Sequence, residues 1–101
     1  MTKEGVKYDS DKPDYSLLPF NALDQIVKVL TYGAKKYSRD NWKRVPEFRQ
    51  RYLAAALRHI SAHARGEIND PETGIHHLSH AATSLMFLVE DDMTKEGEKN
   101  A

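Results

Sequence analysis

Residues 47–65 read EFRQRYLAAALRHISAHAR and are followed by Gly66. Alanine, leucine and arginine are strong helix formers, and no proline interrupts the run. A glycine just past such a run is the usual C-terminal stop. Leu53, Ala56, Leu57, Ile60 and Ala64 recur at helical spacing and form one apolar stripe. This is an amphipathic helix, and the stripe is its expected core face. Tyr52, Ala55, His59 and His63 form a second stripe beside it.

Working outward toward the N-terminus, SRDNWKRVP (38–46) forms a turn. Residues 19–37, PFNALDQIVKVLTYGAKKY, make another helix. Leu23, Ile26, Val27, Leu30 and Ala34 give its apolar stripe, and Asn21 or Ser16 is the expected cap. Gly33 inside it costs about 1 kcal/mol against alanine, which suggests a close approach or early fraying. Residues 1–18 are polar and read as an arm or loop. Toward the C-terminus, GEINDP is a loop, and a third helix starts between Pro71 and Ile75 and runs to about Asp92. The charged tail, 93–101, is expected to fray.

No segment alternates like a strand, so the fold class is all-α: three main helices in one domain, residues 1–101. Three helices barely close a core. The third is apolar on several sectors: Ile75, Leu78, Ala82, Leu85 and Val89 on one, Ala81, Phe87 and Leu88 on others. Such a helix needs burial on more than one side. A homo-oligomer that completes a four-helix or larger bundle is expected. The plainer alternative is a monomer with scattered exposed apolar residues.

The chain has 15 Lys+Arg and 15 Asp+Glu, so its formal charge is zero. That balance gives no general attraction to nucleic acid or to a membrane surface, and no stable nucleic-acid partner is expected. There is no cysteine, which excludes disulfides, Cys-based zinc sites and thiol catalysis. No apolar run approaches the ~20 residues of a membrane span. The N-terminal stretch has no apolar signal core. The expected location is the cytoplasm.

The chemistry concentrates in GEINDPETGIHHLSHA (66–81), with three acids followed by three histidines. Imidazoles and carboxylates bind metals and move protons. Asp70, Glu72 and Glu67 are the candidate ligands of Mg²⁺ or Mn²⁺, because hard cations prefer carboxylate oxygens. The ordinary alternative is structural: Asp70 as a cap, Pro71 in a first turn, Glu72 at the positive helix end. His59 and His63 are four apart on one face, a spacing that suits two ligands of one metal. Glu67, His59 and His77 are the candidate catalytic residues. His80 is assigned to the substrate, with surface or interface packing as its alternative.

Arg51, Arg58 and Arg65 are seven apart and share a face; guanidinium forks match phosphate oxygens. Arg58, beside His59, is the favoured contact, and a solvated surface stripe is the alternative. YGAKKYSRDNW (32–42) mixes cations with aromatics, as a nucleotide requires, although it has no phosphate-binding glycine loop. Lys35, Lys36, Tyr37, Asn41 and Trp42 are therefore candidate substrate contacts, together with Lys7, Lys12 and Arg51. Core packing of Trp42 is the competing role.

Together, KYDSDKP (7–13), LLP (17–19), YGAKKYSRDNW (32–42), RYLAAALRH (51–59) and GEINDPETGIHHLSHA (66–81) resemble the small phage-associated family of dATP/dGTP diphosphohydrolase N-terminal domains. The resemblance covers about residues 5–90, in the family's order. It implies a helical protein acting on purine deoxynucleoside triphosphates, akin to MazG-type enzymes that split the α–β phosphate bond with Mg²⁺. The chain departs from the usual MazG pattern of two acidic pairs: it has Glu47-x-x-Gln50 and Glu90-x-x-Met93. It also has no His-Asp dipeptide of the HD phosphohydrolase type. Two functions are therefore carried forward. One is a metal-dependent pyrophosphohydrolase producing a monophosphate and pyrophosphate. The other is a non-catalytic sponge for a nucleotide or a cyclic-oligonucleotide immune signal. A structural helical module ranks third, because it leaves the His and Arg clusters without a role.

Overall fold

A computed structural model describes residues 3–99. Helices α1 (Phe20–Lys36), α2 (Phe48–Ala64) and α3 (His77–Lys99) make up the architecture, with short 3-10 turns at Tyr15–Leu17 and Asn41–Arg44. Among the described residues there is no strand. One isolated antiparallel bridge joins Asn69 and His76.

Helices α2 and α3 run antiparallel. Arg49 reaches Asp91, Tyr52 meets Phe87, His59 meets His80 and His63 meets His76. Small residues let the two backbones approach: Ala56 and Ala81 are buried, with Thr83 and Ser84. The Thr83 hydroxyl donates to the Ser79 carbonyl at 2.8 Å, which satisfies it without a partner across the interface. Helix α1 packs on α3.

The helix ends follow local chemistry. α2 stops in a Schellman motif: the Glu67 N–H donates to Ala62 O at 3.1 Å and the Gly66 N–H to His63 O at 2.9 Å, with Gly66 at φ 102°. α3 begins at His77, later than the sequence suggests, because Asp70 and Pro71 open a separate turn closed by Gly74 at φ 72°. His76 caps α3, its Nδ1 accepting from the Leu78 N–H at 3.0 Å. α3 also continues to Lys99, past the expected end near Asp92. The last two residues of the tail, and the first two of the arm, lie outside the described residues. The cap of α1 is Pro19, without a side-chain bond, and neither Asn21 nor Ser16. Ser16 belongs to the preceding 3-10 turn, bonded to Asp14.

The α2 core face differs from the expected one. Ala56 lies inside, but Leu53, Leu57 and Ile60 are 45%, 57% and 40% exposed. The stripe beside them, Tyr52 and His59, faces α3 instead. On α3, Leu78, Leu85, Met86, Val89 and Met93 are also exposed. No large side chain is fully buried among the described residues. The radius of gyration is 17.8 Å, against about 13 Å for a compact chain of this length. The single chain is an open assembly.

Candidate functional site

The histidines of α2 and α3 meet where the 66–76 loop crosses the end of the helix pair. The loop is fixed by its own backbone: the Asp70 N–H donates to Ile75 O at 2.9 Å, and the His77 N–H donates to Ile68 O at 2.9 Å. Its turn is tied by Asp70, whose Oδ1 accepts from the Glu72 N–H at 2.7 Å and the Thr73 N–H at 3.1 Å. This is the capping chemistry expected of Asp70, applied to one turn. It leaves the other oxygen, Oδ2, 3.8 Å from His59 Nδ1.

His77 is 4% exposed. Its Nε2 lies 2.6 Å from Glu67 Oε1. A carboxylate only accepts, so Nε2 is the donor, and in the neutral ring Nδ1 is left as an acceptor. That Nδ1 faces His59 Nδ1 at 2.8 Å. Glu67, His77 and His59 thus form a carboxylate–imidazole–imidazole chain. The His80 ring stacks on His59, with centroids 4.6 Å apart and planes 11° apart. His80 Nε2 lies 2.7 Å from Thr73 Oγ1. That hydroxyl also accepts from the Ile75 N–H at 3.2 Å.

Burial, then the neighbouring His80, hold the His59 pKa below the usual imidazole value. Burial does the same for His80. Burial alone would raise Asp70, but the Thr73 and Glu72 backbone N–H groups and the nearby His80 and His59 hold it below the usual carboxylate range. The centre therefore presents a charged carboxylate, Asp70, beside two imidazoles, His59 and His80, that favour the neutral form.

The other candidates are exposed or make contacts of their own. Glu72 is drawn to α1, accepting from Lys36 Nζ at 3.0 Å and from the Tyr32 hydroxyl at 3.2 Å. The Lys36 and Tyr32 bonds lower its pKa, and the Glu72 bond raises that of Lys36. Of the three carboxylates assigned to a metal, Asp70 alone joins His59 and His77, with one donor atom of each within 4.8 Å of the others. Glu67 stands behind His77. His63 pairs with His76, ring centroids 5.2 Å apart, and is not part of that trio. Lys7, Lys12, Lys35, Arg51 and Arg58 are exposed. Arg51 donates weakly to Pro46 O at 3.5 Å. Tyr37 is exposed, with Lys36 Nζ 5.4 Å above its ring. Asn41 is half-buried.

Trp42 lies elsewhere. Its ring stacks on Phe87, centroids 4.4 Å apart and planes 8° apart, and meets Phe48 edge-on. One indole face is therefore taken by the protein. The sequence reading passed over Thr73, Tyr32 and Arg49. Arg49 bonds Asp91 at 2.7 Å and Asp92 at 2.9 Å. A local signal existed only for Thr73, seven residues before His80.

The resemblance implies Mg²⁺, which prefers oxygen ligands and keeps several waters. Two imidazoles and one carboxylate do not fit a dedicated Mg²⁺ site, and the remaining two carboxylates already hold protein partners.

A sequence model of the family described as "dATP/dGTP diphosphohydrolase, N-terminal" matches residues 2–101. A protein of Salmonella phage PMBT28 named dATP/dGTP diphosphohydrolase is 37% identical over 84 residues, 83% of this chain. The matched segment spans 28% of that relative's length. No solved structure matches the chain.

Proposed function

This chain belongs to the dATP/dGTP diphosphohydrolase N-terminal family, and from that premise we propose that it binds a purine deoxynucleoside triphosphate and hydrolyses it to monophosphate and pyrophosphate. The observation that carries the reading is the hydrogen-bonded chain Glu67–His77–His59, in which His77 is buried. Water attacks the α-phosphorus, its proton passes to the imidazole pair, and pyrophosphate leaves. Glu67 orients His77, and the depressed pKa of His59 keeps it in the proton-accepting form near neutral pH. Arg58, next to His59, and the exposed Lys12 and Lys35 neutralise phosphate oxygens. Lys36, bonded to Glu72, and His80, stacked on His59, border the site, and Lys7, Arg51 and Asn41 are the remaining proposed contacts. Tyr37 takes the base in place of Trp42, whose face Phe87 covers. Mg²⁺ or Mn²⁺ enters as the counter-ion of the triphosphate.

One observation favours a second reading, a module that holds a nucleotide without cleaving it. The relative's name belongs to its whole chain, of which the matched segment is 28%. Anion-exchange chromatography of a panel of deoxynucleoside triphosphates and cyclic nucleotides, after incubation with the protein, separates the two. Formation of dAMP or dGMP with pyrophosphate is expected. A nucleotide removed from solution and released intact on denaturation would replace hydrolysis by sequestration.

The functional unit is a homo-oligomer in the cytoplasm. No helix among the described residues is long and apolar enough to cross a membrane. A chain with no fully buried large side chain among its described residues needs further contacts for ordinary stability. Leu53, Leu57 and Ile60 lie on one face of α2 and supply the surface for a second copy. Leu57→Glu should lower the mass measured by light scattering; an unchanged wild-type monomer would remove this part.

A further inference from the structure

Two imidazole nitrogens facing each other at 2.8 Å, Nδ1 of His59 and Nδ1 of His77, need a positive centre between them. A proton supplies it in one state, and a cation can supply it in another. Asp70 Oδ2, 3.8 Å from His59 Nδ1, is a third donor on the same space. An ion about 2.1 Å from two donors 2.8–3.8 Å apart subtends roughly 85–130°, a range that spans octahedral and tetrahedral coordination. All three donors lie within 4.8 Å of one another.

The surroundings also suit a metal. The second nitrogen of His77 is bound to Glu67 at 2.6 Å, the carboxylate–histidine arrangement that orients a ligand ring and raises its basicity. Asp70 Oδ1 is held by two backbone N–H groups, so Oδ2 is left for the ion. The donors come from α2, the loop and α3, so three elements fix their positions. We propose that His59, His77 and Asp70 form a site for a divalent cation of the zinc class (Zn²⁺, Co²⁺, Ni²⁺) and not for Mg²⁺. Imidazole nitrogen suits those ions, whereas Mg²⁺ demands oxygen donors and water. The ion would occupy the same imidazole pair that the proposed hydrolysis uses, so its binding is measured without nucleotide.

The test is titration of the EDTA-stripped full chain with Co²⁺, followed by visible absorption, then competition with Zn²⁺ and with Mg²⁺. One Co²⁺ per chain is expected, displaced by Zn²⁺ and retained in about a hundredfold excess of Mg²⁺. His59→Asn should weaken Co²⁺ binding more than about tenfold and Glu67→Gln by about 10–100-fold. His63→Asn should leave it unchanged. His59 is only half-buried, and circular dichroism of the variant is the check on its folding. Absence of a Co²⁺ spectrum, displacement by Mg²⁺, or unchanged binding in His59→Asn overturns the site. Co²⁺ binding with an inert nucleotide panel keeps it and removes the proposed hydrolysis. Turnover with Mg²⁺ and no Co²⁺ binding does the reverse.

Discussion

The two ends of the α2–α3 pair use one geometry for different purposes. At one end Trp42 stacks on Phe87 with planes 8° apart. At the other His59 stacks on His80 with planes 11° apart. The aromatic end has indole and phenyl rings, with Phe48 and Tyr52 edge-on, and is clamped by Arg49 to Asp91 and Asp92. Its stacked carbons contribute dispersion and burial. The histidine end stacks polar rings that bond to neighbours: His59 to His77, His77 to Glu67 and His80 to Thr73. Small residues between them, Ala56 and Ala81, let both ends close on the same helix pair. Apolar packing is thus concentrated at one end and titratable side chains at the other.

Substitutions should separate the ends. The largest effect is expected from Trp42→Ala, which removes the central ring of the aromatic end. It should cost about 3 kcal/mol in urea unfolding, while the folded fraction keeps its nucleotide turnover. Loss of turnover in fully folded Trp42→Ala would break the division. His59→Asn should do the opposite: turnover falls about a hundredfold, near 2.7 kcal/mol of barrier, while stability changes by about 1 kcal/mol. Near-normal rates in that variant would remove His59 from the chemistry. Gly66→Ala forces a side chain into the left-handed position that aims Glu67 at His77. A loss of about 1–2 kcal/mol is expected, with a lower rate at unchanged KM.

Acidification gives a smaller and more diagnostic effect. His59 and His80 hold depressed pKa values in the fold, so below about pH 6.5 the unfolded chain binds protons that the folded chain refuses. Their stabilising contribution is complete above that pH and declines as pH falls. Asp70, also depressed, acts in the same direction at lower pH: its contribution is lost as pH falls through its folded pKa. In EDTA, Tm should decrease from about pH 7.5 to about pH 5.5, and His80→Asn should flatten the slope. An unchanged slope would place the titrating groups elsewhere.

The sequence was most legible where one signal has one structural outcome. Gly66 after an Ala- and Leu-rich run ends α2 as expected. It was least legible where one signal serves two outcomes. Asp70-Pro71-Glu72 is as suitable for a single capped turn as for a helix start, and Gly74 decides for the turn. Hydrophobicity also chose the wrong α2 stripe. Leu53, Leu57 and Ile60 are the more apolar face, but α3 offers His77, Ser84 and Phe87, whose best partners are His59 and Tyr52. Facing elements must be known before such a choice can be made. The histidines themselves were visible as a cluster in the sequence. The exchange of roles between Glu67 and Glu72 was not, because Lys36 and Tyr32 reach Glu72 from a helix almost forty residues earlier.

The central claim is that nucleotide is handled at the histidine end. The most direct test follows imidazole and indole nitrogen signals by NMR while a non-cleavable α,β-methylene analogue of dGTP is added. The ring signals of His59, His77 and His80 should shift together and saturate, while the Trp42 indole signal stays in place. Movement of Trp42 with unmoved imidazoles would contradict the account and put the nucleotide at the aromatic end.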